Sequence, residues 1–168
     1  MPRPLPAEHA PYFSKYLDLV TSENIAEALI QQTAELMPFW RSLTEAQSTF
    51  APAGKWTVKQ VLNHVTDTER VFSYRALRIG RGDTTPLPGF EQDVLASHSG
   101  AAARSWASLA DEHQAVRAAT LHLVKTFPEE AWSRLGNSSN AVLSTRAAVY
   151  AIAGHELHHV AILRAQYL

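Results

Sequence analysis

The sequence contains no cysteine. Disulfides, thiolate-bound zinc and a cysteine nucleophile are therefore excluded, and any metal must be held by nitrogen or oxygen. Long apolar runs are missing too. None approaches the ~20 residues needed to span a bilayer, and the opening Met1-Pro2-Arg3-Pro4-Leu5-Pro6 lacks the apolar stretch of a secretory signal. Charge is scarce and balanced. Charged residues make up 18% with a net charge of −1, which argues against an electrostatic role on nucleic acid or membrane. The remaining expectation is a cytoplasmic protein whose partner is a small molecule.

The composition that is present is globular, with 46% apolar residues in a chain of 168. That is enough for one domain, residues 1–168, with a real core. The first 16 residues hold four of the nine prolines and are expected to run extended over the body. A first helix is expected from about Ser22 to Ser42, with Pro38 as a point of kinking or early ending. The second has the clearest start, because Thr57 and Gln60 form a capping box. It should bury Val61, Leu62, Val65, Phe72, Leu77 and Ile79 and end at Gly80-Arg81-Gly82. A loop from Asp83 to Gly89 and a short helix from Glu91 to Ala96 follow. A third long helix is expected from Arg104 to Thr126, and a fourth from Ser144 or Thr145 almost to Leu168. Gly136 to Asn140 reads as a polar loop. No stretch sustains the alternation of a strand, so no sheet is expected. Four amphipathic segments of roughly 20 residues predict an all-α four-helix bundle.

Eight histidines are present, and two of them carry the chemical signal. His155 and His159 lie four apart on the last helix, so their imidazoles project from one face about one turn apart. Ala148 and Ile152 share that face, which makes it inward-looking. Such a pair can hold one divalent metal if a third ligand comes from elsewhere, and His64, between Val61 and Val65 on the second helix, is the candidate. Three imidazoles would leave coordination positions open, as catalytic sites do. Histidines at this spacing are more often ordinary core or surface residues, so spacing alone leaves both readings open.

His155-Glu156-x-x-His159 formally matches a metalloprotease motif. The helix abuts the end of the sequence, however, leaving no room for the downstream ligand that reading needs. His158 is turned roughly 100° from His159 and should not share its ion. His9, His98, His113 and His122 are expected at surface or loop positions. Asp67, one turn after His64, could orient an imidazole or act as a base, or simply be a helix-surface acid. Glu69, Arg70 and Arg75 read as solvated residues.

Several segments together resemble the DinB/YfiT-like superfamily of metal-binding four-helix proteins. They are Gly54-Lys55-Trp56-Thr57-Val58-Lys59-Gln60-Val61-Leu62-Asn63-His64, then Asp67-Thr68-Glu69-Arg70, the loop Gly82 to Phe90, and Gly154-His155-Glu156-Leu157-His158-His159. The resemblance covers nearly the whole chain. It implies a four-helix bundle, a divalent ion (nickel or zinc) on His64, His155 and His159, and a homodimer, for which Trp106 and Trp132 would supply apolar surface. Relatives transfer low-molecular-weight thiols such as bacillithiol, isomerise maleylpyruvate with mycothiol, or are described as metal-dependent hydrolases.

The leading expectation is therefore a metal-dependent transferase that brings a low-molecular-weight thiol to an electrophilic small molecule. A cysteine-free chain suits it, because the sulfur nucleophile arrives with the co-substrate. A hydrolase using metal-activated water, with Asp67 as base, is the second expectation. A non-enzymatic metal-binding protein of the stress response is the third. The loop Asp83 to Phe90 is expected to border the site.

Overall fold

Each long helix begins on a polar side chain that satisfies its first-turn amides. The computed structural model describes residues 2–168. Its N-terminal segment is not simply extended: it makes two 3-10 turns, Pro6–Glu8 and Pro11–Phe13, before a short helix α1 (Ser14–Leu17). Proline at the first helical position of each turn sets the required φ and removes an amide that would lack a partner. Helix α2 (Ile25–Ser42) is capped by Asn24 and continues through Pro38. After a one-turn helix α3 (Glu45–Ser48), the capping box of Thr57 and Gln60 opens α4 (Val58–Gly80). Helix α5 (Gln92–His98) is short, and α6 (Trp106–Val124) starts on Ser105. Ser144 caps the last helix, α7 (Thr145–Gln166).

Between α6 and α7 lies an antiparallel hairpin, β1 (Leu135–Ser138) and β2 (Ala141–Ser144), where a polar loop was expected. Its two-residue turn, Ser139-Asn140, has φ of 55° and 62°. That left-handed pair matches the twist of the strands it joins. The signal was weak in the sequence because each strand is four residues long and no Asn-Gly or Asp-Gly marks the turn. Leu87 bonds to Asn137 and Ser139, which ties the loop after α4 to the hairpin.

Helices α2, α4, α6 and α7 form the bundle, with α4 and α7 packed along their lengths. The core divides into two apolar clusters. One gathers Ile25, Leu29, Phe72, Ile79, Val124 and the Ala147–Ala153 stretch of α7. The other gathers Trp40, Leu62, Trp106, Leu109, Val160 and Leu163. Trp106 and Trp132 are both buried, so the apolar surface expected of them for dimer formation is spent inside the fold. Between the clusters, each long helix contributes polar side chains at the same level: Gln32, Glu69, His113 with Arg117, and Glu156. Among the described residues no helix is long and apolar enough to cross a membrane.

Candidate metal centre

His64 comes from the second turn of α4, and His155 and His159 come from successive turns of α7. The Nε2 of His155 lies 3.1 Å from the Nε2 of His64 and 3.1 Å from that of His159. An ion about 2.1 Å from each of three nitrogens sets them roughly 3.0–3.4 Å apart. The spacing therefore fits one ion shared by three imidazoles. The three are the group of side chains that could hold a metal among the described residues. His158, as its helical phase predicts, is outside that group and stacks edge-on against Tyr16 and His159.

Burial keeps all three imidazoles neutral. His64 is pushed down to about 4 by desolvation, opposed by the negative charge of Asp93. Desolvation, reinforced by the neighbouring His64, takes His159 down to about 3. His155, the most enclosed, is held well below its ordinary value by desolvation and by its neighbours His159 and His64. A neutral imidazole offers the lone pair that coordination requires. In the absence of an ion, clustered nitrogens of this kind can share only a limited number of protons, since a neutral ring has one donor and one acceptor.

Two neighbours hold the cluster. Trp56 lies against His64 with ring centroids 5.0 Å apart. Tyr16 lies edge-on to His155 at 5.3 Å. The second contact depends on Gly154, because a Cβ there would overlap the Tyr16 carbonyl oxygen. The single glycine of α7 is thus where the N-terminal segment reaches the histidines.

Glu156 leaves α7 about 100° round from His155. Its carboxylate accepts from Trp40 Nε1 (2.8 Å), His113 Nε2 (3.0 Å), Gln32 Nε2 (2.6 Å) and Arg117 Nη2 (2.8 Å). Burial alone would raise its pKa, but Arg117 and His113 hold it well below the carboxylate range. Arg117 also makes a bidentate pair with Glu69. This polar belt overturns two sequence expectations at once. His113 and Glu69 are buried, not at the surface, and Glu156 is fully engaged away from the histidines. Amphipathic periodicity hides such residues because a buried charge looks like a misplaced surface one until its partner is known.

A cavity of about 550 Å³ opens beside the cluster, with His64 and His155 on its floor. Tyr12, Phe13 and Tyr16 form one wall, Thr68, Phe72 and Arg75 of α4 another, and residues 89–93 with the hairpin turn close it. The loop after α4 borders the site, as expected. Asp67 does not line this cavity: Asn63 donates to it at 2.6 Å and Arg70 at 3.0 Å. The acids that do line it are Glu91 and Asp93, at the start of α5, which no spacing in the sequence pointed to. Arg75 is another residue missed. It is buried and lines the cavity, where a solvated position was expected.

Residues 28–163 match the DinB superfamily. YfiT from Bacillus subtilis, described as a probable metal-dependent hydrolase with an unusual four-helix bundle topology, superposes with a TM-score of 0.70 at 14% identity. The superposition covers 96% of this chain and 89% of that one. A mycothiol-dependent maleylpyruvate isomerase superposes with a TM-score of 0.69 at 13% identity, covering 86% of this chain. This chain spans 61% of the isomerase's length. At such identities the likeness is one of fold. No curated protein matches the sequence.

Proposed function

The chain belongs to the DinB superfamily, and from that membership we propose that it is a metal-dependent transferase joining a low-molecular-weight thiol to an electrophilic small molecule. His64, His155 and His159 would hold the ion, nickel or zinc by their all-nitrogen donor set. When bound, the ion supplies Lewis acidity that makes a thiol or a water more acidic.

The observation that carries this reading is the cavity of about 550 Å³ that opens onto His64 and His155. A storage or purely structural site has no use for such a space, whereas a transferase must seat two molecules there. The aromatic wall of Tyr12, Phe13 and Tyr16 supplies apolar surface for a carbon skeleton. Of the two acids on the cavity wall, Asp93 is the one whose charge reaches His64, and it is placed to take up or return a proton. The likeness to a mycothiol-dependent isomerase supports thiol use on this fold.

The likeness to YfiT favours a second reading, hydrolysis, on the same residues. Purified protein loaded with zinc or nickel separates the two. Thiol-dependent consumption of an electrophile such as monochlorobimane, lost in His64→Ala, is the expected result. Ester cleavage without thiol would replace transfer by hydrolysis, and inertness towards both would overturn an enzymatic role.

A further inference from the structure

Arg75 lines the cavity on the same face of α4 as His64 and Thr68, about three turns beyond His64. Its side chain is buried, 3% exposed, yet forms no salt bridge among the described residues. Among the described residues only Nη2 has acceptors, the Pro88 carbonyl (3.0 Å) and Ser139 Oγ (3.1 Å), and Nε and Nη1 have none. The guanidinium is held beside Phe72 and Phe90, 4.8 and 5.6 Å from the ring centroids. Two further polar atoms on the cavity wall, Thr68 Oγ1 and Ser138 Oγ, are buried without a hydrogen-bond partner.

The other buried arginine, Arg117, has carboxylates on both sides. A buried cation with free donors is costly unless an anion completes it. We infer that Arg75 is the anchor for a carboxylate of the ligand. The cavity then takes elongated molecules, with the reacting group at the histidines and a carboxylate against Arg75, where the unpaired Nε or Nη1 can give it a charge-assisted hydrogen bond. Ser138, next to the serine that already positions Arg75, supplies a hydroxyl to the same group. The reacting end of this assignment rests on the proposed function; the carboxylate end stands on Arg75 alone.

The test uses metal-free protein, so that it does not depend on the ion. Calorimetry with hexanoate and octanoate, against hexanol and octanol, is expected to show the acids binding at least about tenfold more tightly than the matched alcohols. Arg75→Gln should abolish that preference, and Arg75→Lys should restore part of it as a point charge without the planar guanidinium. Ser138→Ala should lower acid affinity several-fold with the fold intact, which locates the carboxylate even if Arg75→Gln proves unfolded by circular dichroism. Equal binding of acid and alcohol by the unaltered protein, or no binding of either at millimolar concentration, overturns the inference.

On zinc-loaded protein, 6-mercaptohexanoate binding more tightly than both hexanoate and 6-mercaptohexanol assigns the carboxylate to the thiol co-substrate. No gain over hexanoate assigns it to the other substrate. Zinc that fails to bind the histidines, with the acid preference still present, would remove the proposed function and leave the carboxylate site standing.

Discussion

His155 and Glu156 are adjacent in sequence and belong to two separate networks. The imidazole meets His64 and His159 on the cavity side, and the carboxylate meets Arg117 and His113 about 100° further round the helix. Glu156 therefore stabilises the bundle and takes no direct part at the histidines. Glu156→Ala should lower unfolding free energy by about 3–5 kcal/mol, the cost of stranding a buried partner. Urea denaturation measures it. A loss below about 1 kcal/mol would mean that Glu69 alone satisfies Arg117.

Removing one histidine leaves an ion two protein ligands. His64→Ala, His155→Ala and His159→Ala should each abolish stoichiometric zinc or nickel in elemental analysis, with helical circular dichroism retained. His158→Ala should keep the full stoichiometry. Loss of metal in His158→Ala but not in His159→Ala would assign the third ligand to the wrong residue.

Gly154→Ala should be far more damaging than a helical glycine-to-alanine change ordinarily is. Alanine favours a helix interior by roughly 1 kcal/mol, but here its methyl would collide with the backbone of α1. A net destabilisation of about 1–3 kcal/mol is expected, as for overpacked cores. Thermal melting reads that loss, and fluorescence of the tyrosines against α7 should report displacement of Tyr16. A more stable variant would contradict the close approach.

Glu8 ties the N-terminal segment to α7. Its carboxylate accepts from Arg146 Nε at 2.6 Å and Ser144 Oγ at 2.9 Å. Burial would raise its pKa, but these two donors and the Arg146 charge leave it below its ordinary 4.5. A group lowered in the folded state stabilises above its unfolded pKa and loses that contribution as pH falls through the folded one. The protein should therefore weaken below about pH 4.5. Glu8→Gln should cost about 1–3 kcal/mol at neutral pH and show a shallower acid limb. Identical slopes for the two proteins between pH 5 and 3 would place the acid sensitivity elsewhere.

The bundle was legible because its signals are local. Thr57 with Gln60, and Ser144 ahead of α7, announce helix starts through side chains a few residues from the amides they serve. That the histidine pair shares one face was legible for the same reason, but its reading as a metal site came from the resemblance and not from the spacing. What escaped was non-local. Glu69, His113 and Arg117 look like surface residues in isolation, and only the packing of three helices turns them into a satisfied interior. Asp93 reaches the cavity through the path of the loop after α4, and that loop, which Leu87 fixes to a hairpin about fifty residues further on, closes over Arg75. The hairpin itself has strands too short to display a period.

His64 and His155 are separated by 91 residues, and this separation gives the site a place in time. Translation at about 5–20 residues per second exposes His64 several seconds before α7 exists. Until that helix leaves the ribosome and docks, the chain has one imidazole where three are needed. On the proposed function, an ion would load only once α7 has docked, after the fold is complete. An ion arriving later would bridge the second and last long helices, closing the chain on itself and slowing its opening.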